Sequence, residues 1–111
     1  MDPIEKEVIK VVKVLADISR FKVLLWLRDG EMDTKTIQDR LKKSKSTISQ
    51  HLKLLSNANL IQYRKEERRK IYSLKDPQVD RILFNITTYI FNKQKKKLKS
   101  LTDFDQETTS F

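Results

Sequence analysis

The chain has no cysteine and a single glycine, Gly30, in 111 residues. Without cysteine there is no disulfide framework, thiolate nucleophile, zinc knuckle or iron–sulfur cluster, and thiol redox sensing is excluded with them. One glycine cannot build a glycine-rich phosphate loop, which needs several points of close backbone approach, so nucleotide chemistry is not expected. No run of about 18 apolar residues occurs, and charges interrupt the segment from Met1 to Lys13. Neither a membrane span nor a signal peptide is read, and a cytoplasmic location is expected. No carboxylate pair, Ser/His arrangement or metal-ligand spacing stands out, so no enzyme, cofactor or metal site is expected.

What is present is charge. Hydrophobic residues make up 38% and charged residues 35%, enough apolar material for one modest core under an ionic surface. A core this small favours burial of further apolar area against a second copy. The net charge is +9, unevenly placed: residues 1–41 balance to zero, residues 42–75 carry ten basic and two acidic side chains, and residues 76–111 carry six and five. A positive field confined to the middle third suits a polyanion, because each neutralised phosphate releases condensed counterions.

Ile4, Val8, Val11, Val12 and Leu15 recur with helical period after Pro3, which suits a first helical turn. Asp17 caps a second helix carrying Phe21, Leu24, Leu25 and Leu27, and Gly30 is expected to end it in a left-handed conformation. Phe21 and Trp26 are read as core residues. Asp33 or Thr34 caps a short third helix with Ile37 and Leu41 inward, and Ser44 caps a fourth through Ile48, Leu52 and Leu55. After it come Asn57, Ala58 and Asn59, where an Asn can take the left-handed conformation that stops the helix. Residues 60–65 and 70–74 flank a charged turn and read as a β-hairpin without a turn glycine. From Pro77, Val79, Ile82, Leu83, Ile86, Tyr89 and Ile90 repeat with helical period and lead into Lys93, Lys95, Lys96, Lys97 and Lys99, read as a solvated helix end or as a brace for flanking DNA. Residues 102–111 are read as a flexible tail.

Two short helices followed by a basic hairpin make a winged helix-turn-helix, mainly α with a small β-hairpin, of order α-α-α-α-β-β-α. The helix-turn-helix spans about residues 33–57 and the wing about 60–74, within one DNA-binding and dimerisation domain over residues 1–101. In this geometry the second helix of the pair enters the major groove. Its polar face carries Lys45, Ser46, Thr47, Ser49, Gln50 and Lys53, side chains able to bond base edges or phosphate. Lys42 and Lys43 precede it, and Arg64, Lys65, Arg68, Arg69 and Lys70 concentrate charge at the hairpin tip for phosphate contact or minor-groove entry. Glu66 and Glu67 either pair with these cations and aim them or hold the tip off the DNA. A lone histidine, His51, cannot assemble a metal site and is read as packing near the helix pair or bonding phosphate.

These residues resemble the ArsR/SmtB-type winged-helix repressors of bacteria and archaea, without gaps from about Val14 to Leu74. The most specific parts are VLADISRFKVLLWL (Val14 to Leu27), STISQHLKLLSNANLI (Ser46 to Ile61) and RRKIYSL (Arg68 to Leu74). The resemblance implies a homodimer through the first helix (about 3–15) and the last (about 77–101), with Ile4, Val8, Val11, Val12, Val79, Ile82, Leu83, Ile86, Tyr89 and Ile90 at the interface. It implies binding to an inverted-repeat operator in double-stranded DNA and a block on transcription until an inducer weakens binding.

The chain departs from that pattern at several points. Lys42 and Lys43 stand where the family's turn usually has Gly and an apolar residue, and Asn59 and Glu67 stand where relatives have glycines. Asp33 and Lys35 occupy positions of the thiol-based sensors' cysteines. Asp80 matches the first ligand of an interfacial zinc site, but Ile82, Lys93 and Lys96 fall at the others. The expectation is a sequence-specific regulator, acting as a repressor, without the family's thiol or interfacial metal sites. The rivals are an architectural, weakly specific DNA coater and a winged-helix protein-interaction module.

Overall fold

The computed structural model describes the backbone of residues 1–109 and the side chains of residues 1–102. The elements run α1 (Pro3–Leu15), α2 (Ile18–Asp29), β1 (Met32–Asp33), α3 (Thr34–Leu41), α4 (Lys45–Asn57), β2 (Ile61–Glu66), β3 (Arg69–Leu74) and α5 (Pro77–Thr109). This is a mainly helical winged helix-turn-helix with a small antiparallel sheet. The chain divides into two compact units, Met1–Asp80 and the segment from Arg81 onward.

The helix starts are set by local side chains. Asp2, Asp17, Asp33 and Ser44 are the N-caps of α1 to α4, each accepting from the backbone N–H three residues on. Asp76 accepts from the N–H groups of Gln78 and Val79 at 2.9 and 3.2 Å, and Pro77 opens α5, where its missing donor is no loss. The helix ends are less regular. Gly30 ends α2, but at φ 158°, ψ 163° it is extended, not left-handed as expected, because the chain passes almost directly into a strand.

The core of the first unit joins Val23, Leu24 and Leu27 of α2, Ile37 of α3, and Ile48, Leu52 and Leu55 of α4 with Ala58, Leu60, Ile61, Ile71 and Tyr72. Phe21 and Trp26 are only half-buried, at the margin of this core. The sheet order is β1-β3-β2, all antiparallel, with Ile61 opposite Leu74 and Glu66 opposite Arg69. The hairpin strands are each shifted from the expected bounds, leaving a loop of Glu67 and Arg68 alone. The third strand, β1, has no counterpart in the sequence reading; Met32 and Asp33 pair with Tyr72 and Ile71.

In the second unit, α5 is helical to Thr109, past the residue where the apolar pattern ends. Extending a formed helix fixes one residue per added hydrogen bond, so the stripe is not needed for propagation. Ser110 and Phe111, the end of the expected tail, lie outside the described residues. No helix among the described residues is long and apolar enough to cross a membrane.

Three non-glycine residues have left-handed φ: Lys42 (56°), Asn59 (58°) and Glu67 (58°). They end α3, follow α4 and open the hairpin loop, the points at which the family pattern has glycine or, at Asn59, the residue type best suited to that conformation. Lys and Glu gain nothing there from a local side-chain hydrogen bond. Replacing Lys42 or Glu67 by Gly relieves a steric term of about 1 to 2 kcal/mol and returns part of it as extra freedom of the unfolded chain. Each variant is expected to be more stable by roughly 0.5 to 1 kcal/mol, seen as a higher urea midpoint at unchanged slope. A lower midpoint would show that the side chains earn these conformations through contacts.

Candidate nucleic-acid interface

α4 is held by its buried face and displays the opposite one. Ile48, Leu52 and Leu55 are buried, while Lys45, Ser46, Ser49, Gln50 and Lys53 are exposed. Thr47 is different: it is half-buried, and its hydroxyl accepts from Ser44 Oγ at 2.9 Å, so it completes the cap more than it faces outward. Lys42 and Lys43 are exposed in the turn before the helix.

The position of α4 depends on His51. Its Nδ1 lies 3.2 Å from Arg20 Nη1, and the guanidinium can only donate, so Nδ1 is the acceptor and a neutral ring carries its proton on Nε2. Arg20 also donates through Nε to the Val14 carbonyl at 2.7 Å and through Nη2 to the Lys13 carbonyl at 3.5 Å. His51 is therefore a link between helices, the first of the two roles read for it.

Between α4 and the hairpin lies a groove of about 790 Å³ lined by Lys45, Ser49, Lys53, Arg68, Arg69 and Lys70, with Tyr63 and Tyr72 as its floor on the strand side. The two tyrosine rings are 5.5 Å apart, and Lys70 Nζ lies 4.7 Å from the Tyr63 ring centroid. That contact steadies a cation whose cross-strand partner, Lys65, has the same sign. Burial pushes the Tyr72 phenol above its usual pKa, with Tyr63 adding to the effect. Lys35, at the start of α3, also lines this groove, although the sequence reading treated it only as a lost sensor position.

Strand alternation sorts the hairpin charges into two groups. Lys65 and Lys70 share the Tyr63 face. Arg64 falls on the other face, where its guanidinium is bonded to both oxygens of Glu31 and to Glu66 Oε2 at 3.1 Å. Arg69 donates to Asp33 Oδ2 at 3.0 Å. These pairs border a second hollow of about 560 Å³, where the Arg40 guanidinium stands 5.5 Å from the Trp26 ring centroid. The structure thus gathers Lys45, Ser49, Lys53, Arg68 and Lys70 at one groove, sets Arg69 on the border of both hollows and places Arg64 away from the first. Glu31 and Asp33 were not anticipated as partners of the wing.

The interface stripes divide in the same way. Ile4, Val8 and Val12 of α1 are exposed and Val11 is half-buried. On α5, Ile82, Ile86, Tyr89 and Ile90 are exposed, whereas Val79 and Leu83 are already buried within one chain, at 6% and 1% exposure. No group of three or more His, Cys, Asp or Glu that could hold a metal occurs among the described residues. Asp80, which the sequence resemblance set against a zinc ligand, accepts from Arg28 Nε at 2.6 Å.

The model of the family described as "Bacterial regulatory protein, arsR family" matches residues 17–63, from the N-cap of α2 into β2. The chain is 30% identical to the transcriptional activator HlyU of Vibrio cholerae over 79 residues, 71% of this chain and 73% of that protein. It belongs to the ArsR family of regulatory proteins. A solved HlyU structure from V. cholerae superimposes with a TM-score of 0.71 at 27% identity, covering 80% of this chain and 97% of that one. The chain is also 28% identical to an arsenical resistance operon repressor of Staphylococcus aureus over 100 residues, 90% of this chain and 96% of the other. To a S. aureus cadmium resistance regulatory protein CadC homolog it is 36% identical over 78 residues, 69% of this chain, and it spans 64% of that relative's length. The family is one of transcriptional regulators, not enzymes.

The carboxylates of this ArsR-family chain make its stability depend on pH. The Asp17 carboxyl is held below its usual pKa by the Arg20 backbone N–H, and Glu31 is held down by its bond to Arg64. Asp33 is held down first by Thr36, through its side chain and N–H, and then by Arg69. Groups with depressed folded pKa values contribute stability that is complete above their unfolded values, about 3.9 for Asp and 4.3 for Glu, and lost as pH falls through the folded values. The urea midpoint should therefore be level from pH 7 to about 5 and fall below about 4. Asp33→Asn should flatten that fall while keeping the cap; an equally steep fall would remove Asp33 from the linkage.

Proposed function

We propose that the protein is a cytoplasmic homodimer that binds an inverted-repeat site in duplex DNA through α4 and the hairpin and represses transcription from it. The observation that carries this reading is the groove in which the exposed face of α4 meets the cations of the wing. A recognition helix offering hydroxyls, an amide and cations can bond base edges, while a basic hairpin supplies phosphate contacts that fix register. The likeness to an arsenical resistance operon repressor along nearly that protein's whole length supports repression as the outcome. The positions at which relatives would place sensor ligands carry Asp33, Lys35, Ile82, Lys93 and Lys96, a set without His or Cys, and support a regulator without a thiol or interfacial metal effector.

Ser46 and Gln50 are assigned to base contact, and Lys65 and Arg68 to phosphate. Competition between an operator, found by footprinting the promoter region of the chain's own gene, and random duplex at fixed salt separates the two roles. Gln50→Ala and Ser46→Ala should each reduce discrimination by roughly 1 to 3 kcal/mol. Lys65→Ala and Arg68→Ala should weaken both duplexes alike and each lower the salt slope by about one. Equal loss on both duplexes for the α4 variants would instead identify a sequence-tolerant DNA coater, and no duplex binding at about 50 mM salt would favour a protein-interaction module.

Dimerisation is assigned to the exposed apolar side chains of α1 and α5. Ile4, Val8 and Val12 on the one helix, and Ile82, Ile86, Tyr89 and Ile90 on the other, leave more apolar surface open than a small monomer needs. A twofold axis through such an interface places recognition helices about one DNA turn, ~34 Å, apart. Ile86→Asp should give monomers in sedimentation and abolish operator binding. A dimeric, binding-competent variant, or a monomeric wild type at micromolar concentration, would remove this interface.

A further inference from the structure

Arginine binds phosphate through a planar fork of N–H groups, and a carboxylate fills that fork with nearly the same geometry. Two arginines of the hairpin are already filled. Arg64 meets both oxygens of Glu31, with the second bond at 3.0 Å, and Arg69 meets Asp33 Oδ2 at 3.0 Å. Neither acid belongs to the hairpin: Glu31 immediately precedes β1 and Asp33 ends it. The strand β1 exists by pairing with β3, and that pairing places Asp33 opposite Ile71, next to the arginines. Asp33 divides its oxygens, Oδ1 capping α3 through the Thr36 N–H at 2.8 Å and Oδ2 facing Arg69. By contrast, Lys65, Arg68 and Lys70 have no ion pair within 4.0 Å among the described residues.

We propose that Glu31 and Asp33 are positioning residues that occupy Arg64 and Arg69 as internal stand-ins for phosphate, so that the hairpin meets duplex DNA with Lys65, Arg68 and Lys70 alone. This rests on the DNA-binding reading above and adds to it which of five hairpin cations contribute to the sequence-independent part of the affinity. Withholding two arginines lowers binding to bulk DNA, and it leaves the α4 side chains a larger share in the choice of site.

The test is a salt series of random-duplex binding by the full chain, comparing wild type, Glu31→Gln, Arg64→Ala and the double variant. Glu31→Gln, which leaves Arg64 only its pairing with Glu66 at 3.1 Å, should bind more tightly and steepen the dependence of log K on log salt by up to about one. Arg64→Ala alone should leave the slope unchanged, and the double variant should return to the wild-type slope. The double variant has the wild-type net charge, so it is Arg64→Ala alone that separates a freed arginine from a mere change of net charge: a net-charge effect would lower its slope and overturn the proposal. Weaker binding by Glu31→Gln would also overturn it, since Glu31 would then be aiming Arg64 at the DNA. Asp33→Asn, with Arg69→Ala as its partner, gives an independent second cycle in which the helix cap is retained. A wild type that binds no duplex at about 50 mM salt overturns the DNA-binding reading and this proposal together, a result distinct from a binding wild type with an unresponsive Glu31→Gln.

Discussion

Arg20 is the side chain on which the arrangement of the first three long helices depends. The last carbonyls of α1 have no partner within their own helix, and the chain reverses within Ala16 and Asp17 before α2 begins. Arg20 reaches back from the first turn of α2 to two of those carbonyls and outward to His51 on α4. Its side chain is only 15% exposed, and the bonds to the Val14 carbonyl and His51, both part-buried, form where water competes poorly. Hydrogen bonds from charged donors contribute about 1.5 to 3 kcal/mol each in such settings, more than any exposed ion pair on this surface. Lys10 adds a second tie between the same helices, donating to the Asn57 carbonyl at the end of α4 at 3.1 Å. The displayed face of α4 follows from this frame: with His51 held on one side and Leu52 buried, Ser46, Ser49, Gln50 and Lys53 have nowhere to point but outward.

The second constraint is electrostatic. A strongly positive segment must fold on itself without its like charges meeting, and a two-stranded hairpin brings them close, as Lys65 opposite Lys70 shows. The chain resolves this differently on the two faces. One face is neutralised by acids from outside the hairpin, through Glu31 and Asp33, while Glu66 pairs within its own strand. The other keeps its cations and relieves them only by the contact of Lys70 with Tyr63. Exposed pairs contribute little to stability individually. Their effect is to decide which side of the wing presents a positive field, which is a matter of recognition more than of folding.

How much of this could be read beforehand varies with the range of the interaction. The helices were legible because their starts are local: Asp17, Asp33 and Ser44 each cap within three residues, and the apolar spacing of α4 marks its buried side. Asn59 was legible for the same reason. β1 was not, since two residues carry no alternation and Met32–Asp33 becomes a strand only through pairing with residues about forty positions away. The pairing of Arg64 with Glu31 spans 33 positions and that of Arg69 with Asp33 spans 36, so a count of hairpin cations treated five unlike side chains as equivalent. Alternation along β2 would have separated Arg64 from Lys65, but not revealed the acid waiting for it. Val79 and Leu83 were grouped with Ile82 and Ile86 because one helical stripe cannot say which part is covered by its own chain.

Two positions that the sequence resemblance sets against sensor ligands share a feature in the fold. Asp33 and Asp80 stand where sensor ligands occur in the resembling pattern, and each is bonded to an arginine, Arg69 in one case and Arg28 in the other. A carboxylate already satisfied by a guanidinium must break that bond before it can serve another cation, and no neighbouring His or Cys offsets the loss. The same two positions that would couple an external ligand to the fold thus couple parts of the fold to each other. Asp33 ties the start of the helix-turn-helix to the wing, and Asp80 ties α2 to the first turn of α5.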